Sequence, residues 1–253
     1  MTAGLQSTVV GSVLHLVLDA PERRNALSRS MLRSLAACLR GIDETVTAIV
    51  VRGSGEAFSA GADFRELTGT GEDITYDDEV AAVTAAIVES PRVVAAAIEG
   101  PCIGAAADIA LACDIRVAGQ GSYLQIPAVR LGLLYNPTAL ERLGRRFPQD
   151  TMRRLLLLGE RFPDEQALRA GLVSEVVPRG EAVKRSVDRL EHITVEELDA
   201  LAATKGLLNA LEQAYDPAHW AERRRGLLEA PARVAAVNRA KRTHTDKKGP
   251  ERR

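Results

Sequence analysis

Two apolar runs, TAIVVRG at 47–53 and RVVAAAIEG at 92–100, each end in glycine and each lead into a turn of small residues. A chain that ends its strands this way, with helical segments between them, is directed toward layered packing of helices on a sheet. The other segments agree with that reading. VLHLVLD (13–19) alternates with a period of two and is closed by Pro21. Ser28 can cap a helix reaching Gly41, with Met31, Leu32, Leu35 and Leu39 on one face. The polar stretch TGTGEDITYDD (68–78) reads as a mobile loop, followed by a helix over 79–89. GAAADIALACD (104–114) predicts a closely packed helix, IRVAG and SYLQI two short strands, and the segment from about Thr138 to Ala170 further helices. The fold class is therefore α/β with a mainly parallel sheet. From about Val183 only helical periodicity remains, near 183–191, 195–214, 217–229 and 231–242. Trp220, Leu227 and Leu228 make that end too apolar for a detached tail.

Composition excludes several classes of function. With 33 Lys+Arg against 34 Asp+Glu the net charge is -1, which does not suit a nucleic-acid binder. No basic region followed by an apolar run opens the chain, and no apolar run reaches the roughly 18 residues of a membrane span. Cys38, Cys102 and Cys113 form no CxxC pair and read as reduced thiols, so a cytoplasmic protein is expected. The end RAKRTHTDKKGPERR is strongly basic, either as a solvated tail or as a contact for a ligand's phosphates.

The chemistry has to come from backbone. AFSAGADFREL (57–67) places Ser59-Ala60-Gly61-Ala62 after a strand, just before what looks like a polar helix. No side chain in that turn can do chemistry, but backbone N–H groups can. IEGPCIGAAADIALACDIRVA (98–118) repeats the pattern of strand end, small turn and helix. Two such turns can set two N–H donors side by side as an oxyanion hole. Tight helix packing explains either turn alone, and explains the pair less well. RGSGEAF imitates part of a dinucleotide fingerprint, but its third small position is Phe58 and a turn follows instead of a helix. GxxxxGK[ST], HExxH and GxSxG are all missing from the sequence. His15, His192, His219 and His244 are scattered, so no metal site is expected.

PERRNAL (21–27), AFSAGADFREL, EGPCIGAAADIALACDIRVA and GLVSEVVP (171–178) resemble the crotonase superfamily, that is, enoyl-CoA hydratase/isomerase. The resemblance spans nearly the whole chain and weakens after about residue 190. It implies a spiral of ββα units over 1–190 and a C-terminal α-helical trimerisation region over 191–253. Homotrimers or dimers of trimers and a place in fatty acid metabolism are implied with it. The implied ligand is an acyl-CoA or enoyl-CoA thioester, with coenzyme A as part of the substrate and no separate cofactor. Carried over by position, the N–H groups of Ala62 and Ala105 would hold the thioester oxygen. Ala60, Asp63 and Arg65 would lie along the adenine and pantetheine path. Arg23 and Arg24 would lie near the CoA phosphates, a solvated-surface role being the alternative for each.

The resemblance breaks at the catalytic acids. The family's hydratases use two glutamates to split water across a double bond. Three residues after Ala105 this chain carries Asp108, a carboxylate withdrawn by one bond, about 1.5 Å. After Pro127, where the second acid belongs, it carries Ala128. A lost general acid or base costs ~10²–10⁴ in rate, so hydration by the usual route is not expected. Tyr135 either donates a proton or walls the acyl pocket, which Asn136 also borders, while Glu66 and Glu141 are weaker candidates. Asp108 on a helix of small apolar residues needs a partner or a raised pKa. The resemblance, with these departures, implies a lyase or isomerase acting on a CoA thioester with Asp108 as lone acid/base in a shifted reaction such as isomerisation or thioester hydrolysis, or a weak hydratase. The alternative is a non-catalytic acyl-CoA binding protein that keeps the pocket.

Overall fold

A computed structural model describes residues 4–210 together with 229, 237, 238, 241 and 242. Strands β1 (Leu5–Val10), β2 (Val13–Leu18), β3 (Ala48–Gly53), β4 (Val93–Ile98), β6 (Ile115–Gly119) and β9 (Glu175–Val177) form one sheet in the order β1-β2-β3-β4-β6-β9. Within this sheet, among the described residues, only the β1–β2 pair is antiparallel. A smaller sheet holds β5 (Pro101–Ile103), β7 (Tyr123–Gln125) and β8 (Phe162–Pro163) in the order β5-β7-β8. Successive strands therefore alternate between sheets: β4 lies in the large one and β5 in the small one, then β6 and β7 likewise. Helix α3 (Ala105–Ala112) follows the first such pair, which is the ββα unit of a spiral.

Both faces of the large sheet are covered, which is why its central strands read as continuous apolar runs rather than alternating ones. In β3, Ile49 and Val51 join the main core, while Ala48 and Val50 pack on the opposite face. In β4, Val94, Ala96 and Ile98 face the main core, and Ala95 and Ala97 the other. The second face is closed by α7 (Ala182–Leu190) through Ala182 and Leu190. The main core receives α1 (Arg29–Arg40) through Met31, Leu32, Leu35, Ala36 and Leu39, the stripe expected from spacing. The Ser28 hydroxyl accepts the Met31 N–H as the N-cap. Each such leucine, buried in full, is worth ~1.5–3 kcal/mol.

Two local expectations are corrected, and one strand is added to them. The polar stretch 68–78 is not all loop: α2 runs Ile74–Glu89, and Asp77 gives its first turn an acid, which suits a helix N-terminus. The segment after AFSAGAD is a single 3-10 turn, Phe64–Glu66, instead of a helix. Asp63 closes it by accepting the Arg65 N–H, and Leu67 leaves it in extended conformation. Residues 5–10 form β1, an edge strand on which only Leu5 is buried, so no alternation announced it.

The later helices are α4 (Pro137–Arg146), α5 (Gln149–Leu157) and α6 (Asp164–Arg169), then α8 (Leu198–Ala210). Lys205 ties α8 to the body of the protein, its ammonium donating to the carbonyls of Ile87 and Arg92 and to Asp114. The helical segments read near 217–229 and 231–242, with Trp220, Leu227 and Leu228, and most of the basic end lie outside the described residues. Among the described residues no helix is long and apolar enough to cross a membrane.

Candidate active site

Asn25 fixes the first turn. It is fully buried, holds a left-handed backbone (φ 56°), and donates through its amide to the carbonyls of Ser54 and Ala57, each at 2.8 Å. Its own side-chain oxygen accepts the Ala20 N–H at 3.0 Å. The 20–27 loop is thereby locked to the end of β3, and two rungs extend the lock: Ala60 N–H donates to Arg24 and Leu27 N–H to Gly61. Gly61 N–H goes to the Ser59 hydroxyl and Asp63 N–H to Leu27. The N–H of Ala62, between them, has no acceptor among the described residues.

The second turn is stitched to the first. Ser59 and Cys102 form a parallel bridge, with Ile103 N–H donating to Ser59 at 3.1 Å and Ser59 N–H to Pro101 at 3.0 Å. Gly61 (φ 88°) sits so close that a Cβ there would lie 2.5 Å from the Ile103 carbonyl oxygen. Only glycine satisfies both the conformation and the approach. Gly104 then donates to Gln125, and Ala105 begins α3 as its first helical residue. Its N–H, like every first-turn donor of a helix, has no intrahelical partner, and no other described residue accepts it.

Ala60, Ala62, Ala105, Asp108, Ala128 and Tyr135 all line one cavity of about 350 Å³, within the range of small-molecule sites. Its walls are mostly apolar, with Phe64, Leu67, Val80 and Leu133 among them. Asn136 reaches the same cavity while capping α4 through the Thr138 N–H. Ala128 is buried in the 3-10 turn Ala128–Leu131 and presents no polar group there.

Asp108 is the charged group at the centre. It is 2% exposed and pairs with Arg142 of α4, itself largely buried. The Tyr135 hydroxyl donates to it as well. Burial raises the Asp108 pKa above the usual carboxylate range, and the Arg142 charge and the two hydrogen bonds oppose that rise. Burial is also the main cause of a Tyr135 phenol held well above its ordinary value, with the charges of Asp108 and Asp77 adding to it. Tyr135 thus keeps its proton and remains a donor.

The remaining predicted positions lie outside this cavity. Asp63 is buried beneath Arg65, which binds it at 2.6 Å, and Arg23, at 3.8 Å; burial raises its pKa while Arg23 pulls it down. Arg24 is exposed, with a left-handed backbone. Glu66 accepts the Arg29 N–H and Glu141 pairs with Arg145, so both are occupied elsewhere. Sequence reasoning missed Arg142, Asn25 and Asp77. For Arg142 a signal existed: Ala139 and Leu143 mark the buried stripe of α4, and residue 142 falls beside it.

The sequence profile of a family described as Enoyl-CoA hydratase/isomerase matches residues 8–250. The chain belongs to the enoyl-CoA hydratase/isomerase family. It is 36% identical over 151 residues to a Mycobacterium bovis protein named "Probable enoyl-CoA hydratase echA6", a match covering 59% of this chain. The chain spans 61% of the length of that relative. A Mus musculus mitochondrial Delta(3,5)-Delta(2,4)-dienoyl-CoA isomerase is 34% identical over 148 residues, 53% of this chain and 45% of the isomerase. Among solved structures, methylmalonyl-CoA decarboxylase in complex with 2-nitronate-propionyl-CoA superposes with a TM-score of 0.87 at 22% identity, covering 100% of this chain and 99% of that one. That likeness is one of fold. An enoyl-CoA hydratase from Mycobacterium avium subsp. paratuberculosis gives a TM-score of 0.81 at 25% identity, with 100% of both chains covered. The crotonase-type architecture expected from the motifs is therefore the fold of this member.

Proposed function

We propose that this family member binds an enoyl-CoA thioester and shifts its double bond, with Asp108 as the acid/base group and the Ala62 and Ala105 N–H groups as the oxyanion hole. The observation that carries the reading is a pair of acceptor-less backbone donors on the wall of an apolar cavity that also holds Asp108. Isomerisation asks less of the site than hydration. Asp108 takes a proton from the α-carbon of a β,γ-enoyl thioester, and the C–H electron pair moves into the carbonyl. The N–H groups of Ala62 and Ala105 hold the resulting oxyanion. Delivery of a proton to the γ-carbon leaves the α,β-enoyl thioester, with no water added or lost. Hydration needs a second group to activate water, and Ala128 supplies none.

One observation favours a second reading. Arg142 engages a carboxylate oxygen of Asp108, and a carboxylate held in an ion pair is a weaker base, as a non-catalytic acyl-CoA binding protein would tolerate. Calorimetry and turnover on one panel of CoA thioesters separate the two. The isomerase reading expects binding of acyl-CoA, no comparable binding of free fatty acid, and conversion of β,γ-enoyl to α,β-enoyl thioester. Binding without turnover selects the carrier, and indifference to every CoA thioester defeats both. We also propose assembly as a homotrimer or a dimer of trimers through residues 191–253. A monodisperse monomer in light scattering contradicts it.

A further inference from the structure

The pairing of Leu27 with Ala62 decides where the Ala62 N–H points. Leu27 donates its N–H to the Gly61 carbonyl at 2.8 Å and accepts the Asp63 N–H at 3.1 Å. In a parallel bridge of this kind the residue between those two bonds turns its own N–H and C=O to the opposite side. Leu27 therefore sets the direction of the donor at 62. Its carbonyl also takes a second hydrogen bond, from the Tyr76 hydroxyl at 2.6 Å. Tyr76 is buried on α2 and lines the cavity that holds Ala62 and Asp108. Burial lifts its phenol far above the ordinary pKa, so the hydroxyl stays a donor. Helix α2 grips the same segment from outside as well, where the Arg29 guanidinium donates to the Thr75 hydroxyl at 3.0 Å and to Glu79 at 3.2 Å. Water reaches the Thr75 contact and can stand in for it, whereas the phenol's bond is buried. Tyr76 is the inner tie between the cavity wall and the turn that carries Ala62.

We propose that Tyr76 is a positioning residue for the oxyanion hole: its hydroxyl fixes the Leu27 carbonyl, and Leu27 in turn holds the Ala62 N–H on the thioester oxygen. This rests on the oxyanion hole of the isomerase reading above. The phenol moves no proton in this role, and its hydrogen stays on the Leu27 carbonyl throughout. The effect reaches the chemistry through geometry, since a group misplaced by about 1 Å can cost ~10² in rate. The Ala105 N–H is placed by α3 and by the Gly104–Gln125 bond instead, so the two donors are set independently.

The test is Tyr76→Phe in the full-length protein. It deletes the hydroxyl and keeps the ring in the cavity wall. The Leu27 carbonyl still receives the Asp63 N–H, so no buried polar atom is left unpaired and the variant folds. Two ligands read the hole directly by calorimetry: butyryl-CoA, and S-butyl-CoA, in which a methylene replaces the thioester carbonyl. Two hydrogen bonds to that carbonyl favour butyryl-CoA by ~10-fold in the natural protein. In Tyr76→Phe the preference is expected to fall to ~3-fold or less, with S-butyl-CoA affinity within about twofold of natural, as one of the two bonds is lost. For β,γ-hexenoyl-CoA, kcat should drop ~10–10²-fold at a KM within a few-fold. A phenol that only steadies the fold would instead weaken both ligands alike, and that result overturns the proposal. So does a folded variant with natural preference and natural kcat, which leaves the hole itself intact. The ligand comparison needs no turnover, so it decides the matter even for a carrier. A natural protein that binds the two ligands equally defeats the oxyanion hole and the proposal with it.

Discussion

Replacing Ala105 with proline changes one functional group and almost nothing else. The residue is the first of α3, where the N–H has no intrahelical acceptor, so the helix loses no hydrogen bond. Proline is favoured at this position because its fixed φ suits a helix start. The preceding residue, which proline restricts, is Gly104; it has no Cβ, and nothing lies within 4 Å of where one would be. The protein should fold, with a melting temperature within ~4 °C of the natural chain, the shift expected for about 1 kcal/mol at this size. If the Ala105 N–H stabilises the developing oxyanion, its loss costs ~10²–10³ in kcat, or ~2.7–4 kcal/mol of transition-state energy. Ala105→Gly is the control: it keeps the N–H and should stay within a few-fold. The assay is steady-state conversion of β,γ-hexenoyl-CoA, with calorimetry to confirm that substrate still binds. A folded, substrate-binding Ala105→Pro with natural turnover would show that the oxyanion hole is not where these two turns put it.

Two further changes probe the carboxylate end of the site. Ala128→Glu adds a group of on the order of two water volumes, roughly 60 Å³, to a cavity of about 350 Å³; crotonyl-CoA hydration should rise ~10-fold or more, within the ~10²–10⁴ available to acid/base work. No gain in a folded, ligand-binding variant would mean that residue 128 does not face the reacting double bond. Arg142→Met removes the charge that opposes the burial-driven rise in the Asp108 pKa. A base works only when ionised, so turnover climbs as pH rises through that pKa, and in the variant the climb should move to higher pH. A pH–rate profile with an unmoved or lowered acid limb would show that Arg142 does not tune Asp108.

What the sequence revealed and what it concealed divide by the range of the interaction. The α1 stripe and its Ser28 cap, and the apolar runs of β3 and β4, are local patterns and were legible. The two small-residue turns could be read as a matched pair because their meaning lies in backbone, which small residues expose. β1 was not legible, since an edge strand with one buried residue of six shows no alternation. The start of α2 was masked by Thr75 and Asp77 of its first turn and by the polar residues before it, which look like loop composition. The α4 stripe marks the face on which Arg142 lies, but its meeting with Asp108 spans 34 residues of sequence, and no local pattern announces that pairing. Asp77 was hidden twice over: its segment read as loop, and its place in the cavity depends on how α2 crosses the site.

The way this chain builds its two acceptor-less N–H groups explains how it can carry Asp108 and Ala128 in the cavity and still keep them in place. Ala62 is fixed by Asn25, by the Leu27–Gly61 rung and by the Ser59–Cys102 bridge, none of which involves Asp108 or Ala128. Ala105 is fixed by the start of α3 and by the Gly104–Gln125 hydrogen bond between β5 and β7. The placing of these two N–H groups is therefore a property of how two sheets are stitched, independent of the side chains at 108 and 128. Asp108 and its partners come from elsewhere: α3 for Asp108, the loop before α4 for Tyr135 and α4 for Arg142. Each can change without disturbing the stitching, because each projects from its own element into a shared cavity. On the proposed isomerase reading, the electrostatic half of catalysis is thus held by the architecture, and the proton-transfer half is left to side chains that single substitutions can replace.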